Sequence, residues 1–122
     1  MILGGTSSRS NAKAYIEVAD EDGERQHGLM FRKGLSKDDG MLFIYDNPHI
    51  LSFYMKNTLI PLSIAYIRAD KTIISIHDMK PLDETSIESE EPAKYALEVR
   101  QGWFKEYDVK PGYIVILPAV MR

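Results

Sequence analysis

The sequence predicts a mainly β fold: a single β-sandwich or partly closed barrel of about seven short strands with one or two short helices. Three observations predict it. Apolar and polar residues alternate with period two, as Ala14, Ile16 and Val18 do against Lys13, Tyr15 and Glu17. Short runs rich in isoleucine, leucine, tyrosine and phenylalanine are bounded by glycine, proline, asparagine and aspartate. Helical spacing is confined to two short segments, and a chain of 122 residues suits one domain with one core.

Ala12 to Ala19 is the first half-buried strand. Asp20-Glu21-Asp22-Gly23 then supplies turn chemistry and an N-cap for a helix over Glu24 to Phe31. Arg25 and Leu29 are four apart, as are His27 and Phe31. Gly28 interrupts the pattern and Gly34 ends it. Lys37-Asp38-Asp39-Gly40 reads as a polar turn into a short buried strand, Met41 to Tyr45, which Asp46-Asn47-Pro48 breaks. Leu51 to Lys56 is the next strand, and Ile60 before Pro61 is held extended. Leu62 to Arg68 is apolar on both faces and therefore central. A hairpin through Ala69-Asp70-Lys71 joins it to Thr72 to His77. Asp78 to Pro92 is the one long loop, acidic at Asp83, Glu84, Glu88, Glu90 and Glu91. Loops of that length are functional or mobile. Tyr95, Leu97 and Val99 share one face of a further strand that Gly102 ends. Trp103 to Tyr107 forms a helical turn, and Lys110-Pro111-Gly112 leads into the last strand, Tyr113 to Leu117. The domain is expected over residues 12–118, with residues 1–11 a flexible tail or processing remnant and 119–122 a C-terminal tail.

Composition excludes several function classes. The net charge is −3 and no lysine- or arginine-rich block occurs, so no phosphate-tracking surface and no nucleic-acid partner are expected. The chain has no cysteine, which removes disulfides, thiolate nucleophiles and cysteine-ligated zinc. No segment reaches the ~18 consecutive apolar residues of a membrane helix. Phosphate-cradling glycine loops and the Gly-x-Ser-x-Gly elbow are both absent, and neither a cofactor nor a metal is expected. Composition is silent on oligomeric state.

Four clusters carry a resemblance. They are Glu24-Arg25 with Gly28-Leu29-Met30-Phe31-Arg32; Gly40-Met41-Leu42-Phe43; Met55-Lys56-Asn57-Thr58 with Ile60-Pro61-Leu62; and Tyr95-Ala96-Leu97-Glu98 with Gly102. In this order and spacing, from about Ala12 to Ile116, the chain resembles the family known as domain of unknown function 192. The resemblance implies a small, mainly β domain of bacteria and archaea, often exported or lipid-anchored, with no assigned activity. A periplasmic location is what it implies; the composition alone is equally compatible with the cytoplasm. Two positions depart from the family pattern. Tyr54 stands where tryptophan is usual, and Ser63 where an aspartate is usual, so any acid chemistry of that aspartate is missing here.

The candidate site gathers on the Met-Lys-Asn-Thr segment. Lys56 and Glu98 both neighbour apolar residues, where a bare charge is costly unless paired. At a pocket floor they would meet a polar ligand beside the donors and acceptors of Asn57 and Thr58, with Arg32 at the rim and Met30 and Met55 as walls. Their bland counterpart is a structural ion pair or two solvent-facing residues, and Arg25 reads as structural. The leading reading is a non-enzymatic module that binds a small polar ligand or a protein segment. Three rivals stand beside it. One is an enzyme with Glu98 as general base and Lys56 steering an anionic substrate. Another is an interaction domain docking through the acidic loop 83–91. The last is a copper site built from His27, Met30, His77 and Met79, with Met41 and Met55 as further sulfurs, although methionines fill irregular cores readily. Tyr54, Tyr66, Tyr95, Trp103 and Tyr107 offer stacking surfaces only if exposed.

Overall fold

The computed structural model describes residues 2–5 and 12–117. A seven-stranded mixed sheet runs through the molecule in the order β6-β5-β8-β3-β2-β1-β9. Its strands are β1 (Ile2–Gly5), β2 (Lys13–Ala19), β3 (Asp39–His49), β5 (Leu62–Ile67), β6 (Ile73–Met79), β8 (Ala93–Arg100) and β9 (Val115–Ile116). Two short strands, β4 (Ser52–Phe53) and β7 (Ile87–Glu88), pair separately, and two short helices, α1 (Asp22–His27) and α2 (Trp103–Glu106), complete the fold. Among the described strands only β2 and β3 run parallel, because α1 and its following loop carry the chain back before β3 starts. The class is the mainly β one that the sequence predicts, with two short helices. The sheet is open and does not close into a barrel.

Period two divides the core between the faces of this sheet. Tyr95, Leu97 and Val99 of β8 join Ile16, Leu42, Trp103 and Phe104 on one face. Ala96 lies on the other with Met41, Phe43, Ile64, Tyr66, Leu29 and Met55, and so by alternation does Glu98. β5 is buried along its whole length between β6 and β8, as two apolar faces require.

Several local expectations are corrected. The helix begins earlier and is shorter: Glu21 and Glu24 form a capping box, and Gly28, at φ 51°, ends α1 at once, so the pattern reaching Phe31 is a turn. β3 starts at Asp39, so Gly40 is a strand residue, and it passes through Asp46-Asn47-Pro48 by an irregularity between Ile44 and His49. Leu51 to Lys56 contributes only β4, because Met55 to Thr58 turns tightly (Met55 C=O accepts from Thr58 N–H, and Asn57 sits at φ 56°). Ile2–Gly5, expected in a tail, pairs with β2 and β9. The tail expectations for residues 1, 6–11 and 119–122 fall outside the described residues.

The acidic loop is tied down along its length. Asp83 accepts from Thr85 N–H, Glu91 forms a two-armed pair with Arg68, and Ile87–Glu88 is β7. Leu51 N–H donates to the Ser89 hydroxyl at 2.9 Å, while Ser89 N–H donates to Leu51 C=O at 2.8 Å. Both residues are buried, so Ser89→Ala strands the Leu51 amide away from water. We expect a loss of roughly 1–3 kcal/mol in urea-unfolding free energy, the cost of one unsatisfied buried group. An unchanged midpoint would show that the loop does not need this tie.

Candidate functional site

Glu98 lies mid-strand in β8, opposite Met41 of β3 on one side and Ile64 of β5 on the other. The residue is only 4% exposed, and burial pushes its carboxyl from the ordinary range up to about 8. That carboxyl has no hydrogen-bond or ion-pair partner among the described residues, yet no fully sealed polar side-chain atom there lacks one. Its oxygens are therefore open to space, and the space is a cavity of about 410 Å³ between α1, β3 and β4.

The cavity is polar at the mouth and aromatic inside. Phe43 and Phe53 meet edge to face at 4.8 Å on its wall, and Thr58 is buried beside them. Gly28 packs on this wall, its φ of 51° favours glycine, and a Cβ there would make ordinary contact with the Phe43 ring at 3.4 Å. Arg25 reaches across from α1, donating to Ile44 C=O at 2.8 Å and to Asp22 at 2.6 Å, with its guanidinium 4.9 Å from the Tyr45 ring centre. Burial raises the Tyr45 phenol; Arg25 opposes this and Glu98 adds to it. Tyr66 sits on the far side of Glu98, its hydroxyl donating to Ile87 C=O, and burial first, then the nearby Glu98, raises it too.

The structure assembles only part of the set read from sequence. Glu98, Thr58 and Met30 line the cavity. Lys56 and Asn57 are exposed and border an adjoining concavity of about 370 Å³, which shares Gln26, His27, Met30 and Tyr54 with the first. Lys56 contributes nothing to the shift of Glu98, so the ion pair between them is not made. The Thr58 hydroxyl donates to Lys56 C=O at 3.1 Å, which holds the turn. Arg32 is not at the rim: it forms a two-armed pair with Glu17, which lowers the Glu17 carboxyl and holds the arginine away from the cavity lining. Met55 is a core side chain, 2% exposed. His77 shares a hydrogen bond with Ser75, and Met79 is in the core. Among the described residues no group of three histidine, aspartate or glutamate side chains could hold a metal.

Sequence reading missed Arg25, Tyr45, Phe43 and Phe53 as cavity residues. Arg25 had a usable signal, its four-residue spacing to Leu29, but nothing in the chain orders the α1 face against β3. Ser63, the other departure from the family pattern, lies on the opposite face of the sheet from Glu98. Its hydroxyl donates to Asp78 at 2.8 Å and accepts from Gly102 N–H at 3.1 Å.

Comparison with known proteins gives a family and a fold. The model of the family DUF192, described as "Uncharacterized ACR", matches residues 5–117. A crystal structure of a protein of unknown function from Novosphingobium aromaticivorans DSM 12444 superposes with a TM-score of 0.92 at 30% identity, covering 96% of this chain and 84% of the other. A crystal structure described as that of a candidate transcription regulator from Sinorhizobium meliloti 1021 superposes with a TM-score of 0.88 at 35% identity, covering 94% and 89%. No curated protein matches.

Proposed function

This chain belongs to the domain of unknown function 192 family, and from its cavity we propose that it is a binding protein for a small polar molecule. The observation that carries this reading is Glu98: a carboxyl buried among apolar side chains, without a partner among the described residues, and facing a cavity. A buried polar group without a partner costs stability, and a ligand able to satisfy it recovers that cost on binding. Thr58 adds a buried hydroxyl, while Lys56 and Asn57 guard the outer concavity through which a ligand passes. Arg25 takes the place expected for Arg32. The aromatic walls supply contact area and few convergent polar groups supply orientation, the usual make-up of a small-molecule site.

Other readings draw less support. A general base needs a carboxylate oriented toward the proton it takes, and no described residue hydrogen-bonds the Glu98 carboxyl to orient it. The Sinorhizobium neighbour's description points to gene regulation, but a net charge of −3 without a basic block offers little to DNA phosphates.

A thermal-shift panel of sugars, amino acids, amines and small anions tests the proposal on wild type, Glu98→Leu and Lys56→Ala. A ligand at about 100 times its dissociation constant adds ~2.7 kcal/mol of stability. The expected result is a shift kept in Lys56→Ala and lost in Glu98→Leu. A shift with the opposite dependence would move the site to the outer concavity, and no shift with any compound would overturn the reading.

A further inference from the structure

Glu98 differs from the other charged groups around it in having no hydrogen-bond or ion-pair partner among the described residues. On α1, Arg25 is neutralised by Asp22 at 2.6 Å, and His27 stands at the cavity mouth. On its own strand, Lys94 donates to the carbonyls of Tyr45 and Asp46, and Arg100 pairs with Glu106 and donates to Lys37 C=O. The groups of β3 and β5 that interact with Glu98 are the Tyr45 and Tyr66 phenols, both raised and hence neutral, while Asp39, Asp46 and His49 of β3 lie outside the cavity lining. With Arg25 and Asp22 cancelling, Glu98 is the one acid in the cavity that no described cation balances. The walls beside it are π faces and edges, and Arg25 over Tyr45 shows that a ring there already accepts a cation.

We propose that the molecule taken by this cavity carries an ammonium group, primary or quaternary, with Glu98 as its counter-ion and the rings of Phe43, Phe53 and Tyr45 around it. This rests on the binding reading above and names the ligand class. The ammonium enters as a cation; a primary one keeps its own protons and a quaternary one has none to lose. The Glu98 carboxyl gives up one proton to solvent, and the resulting carboxylate pairs with the ligand. An anionic ligand would meet the reverse situation, since it needs the protonated carboxyl as a donor.

The two cases differ in the sign of their pH dependence. Below the Glu98 transition near pH 8, ammonium affinity rises about tenfold per pH unit and then levels off above it. Choline and ethanolamine are the cationic probes, acetate and inorganic phosphate the anionic ones, and glucose the neutral one. Calorimetric titration of each from pH 6 to 9, in two buffers of different ionisation enthalpy, reads affinity and proton release together. The expected result is tightening of choline or ethanolamine toward pH 8, release of up to one proton per ligand at pH 6, and at least a tenfold weakening in Glu98→Gln at pH 8. Binding of acetate, phosphate or glucose in place of the amines would overturn the ammonium assignment while leaving a binding cavity. Amine affinity that is independent of pH and unchanged in Glu98→Gln would overturn it as well. No binding by any probe would overturn both this inference and the reading it rests on.

Discussion

Replacing Glu98 by glutamine raises the stability of the protein at pH 8 and above, and leaves it almost unchanged at pH 5. The folded carboxyl titrates near 8 while an unfolded glutamate titrates near 4.5. Between those values the unfolded chain has released the proton and the folded chain still holds it, so unfolding is favoured as pH rises. The loss begins above about pH 4.5, grows through neutrality and is complete once the folded carboxyl ionises. Each unit of difference corresponds to about 1.4 kcal/mol, which puts the full penalty on the order of 3–5 kcal/mol. Because Glu98 is buried, solvent screening takes little from it. Glutamine keeps the shape and polarity but has no proton to lose, so the slope disappears in the variant.

The remaining shifted acids act in another window. Glu17, Asp38, Asp70, Asp83, Glu91 and Glu106 are all lowered, by Arg32, by Tyr107 and Trp103, by Thr72, by Thr85, by Arg68, and by Arg100 and Lys37 respectively. Their stabilisation is present above their unfolded pKa values and is lost only as pH falls through the lowered ones. Urea unfolding at pH 5, 7 and 9 therefore isolates Glu98. Wild type and variant should agree at pH 5 and separate by several kcal/mol at pH 9. A wild type that stays flat over this range would mean that Glu98 is ionised and paired, contrary to the structure.

Much of this site was legible as residues and little of it as geometry. Alternation at Tyr95, Leu97 and Val99 already placed Glu98 on the face opposite those three, and its neighbours made it a charge among apolar side chains. What alternation cannot say is which strand lies alongside. β8 is central only because β3 and β5 flank it, a pairing between segments far apart in the chain. The expected partnership with Lys56 failed for that reason: Lys56 belongs to a surface turn, not to a strand facing β8. Arg32 failed differently. Its charge was visible but its acceptor, Glu17, lies fifteen residues back on β2, and only the packed sheet brings the two together. Gly40 was visible too, yet the polar run before it reads as a turn. Turn chemistry and close packing both select glycine, and sequence does not separate them.

Gly40 is where the second large effect is expected. It pairs with Val99 of β8 and with Ile16 of β2, so its backbone is enclosed on both sides. A Cβ built there would lie 2.7 Å from the Glu98 carbonyl oxygen and 2.9 Å from Val99 Cγ1. The side-chain methyl can rotate away, but the carbonyl belongs to the backbone of β8 and moves only if the strand moves. Gly40→Ala therefore strains the β3–β8 ladder at the residue that carries the cavity's carboxyl. Overpacking a well-filled core costs typically 1–3 kcal/mol, and a shift of backbone puts this site at about 3 kcal/mol. Gly23→Ala is the matched control: it lies inside α1 with nothing within 4 Å of a new Cβ, and it should gain about 0.5–1 kcal/mol from helix propensity. Urea unfolding of the two variants checks the contrast, and equal midpoints would show that β3 and β8 have room to separate. Because β8 must move in Gly40→Ala, the pH 5–9 slope assigned to Glu98 should also shrink as water reaches the carboxyl. A destabilised variant that keeps the full slope would mean that the burial of Glu98 is set by β5 and the Phe43–Phe53 wall, not by the contact at Gly40.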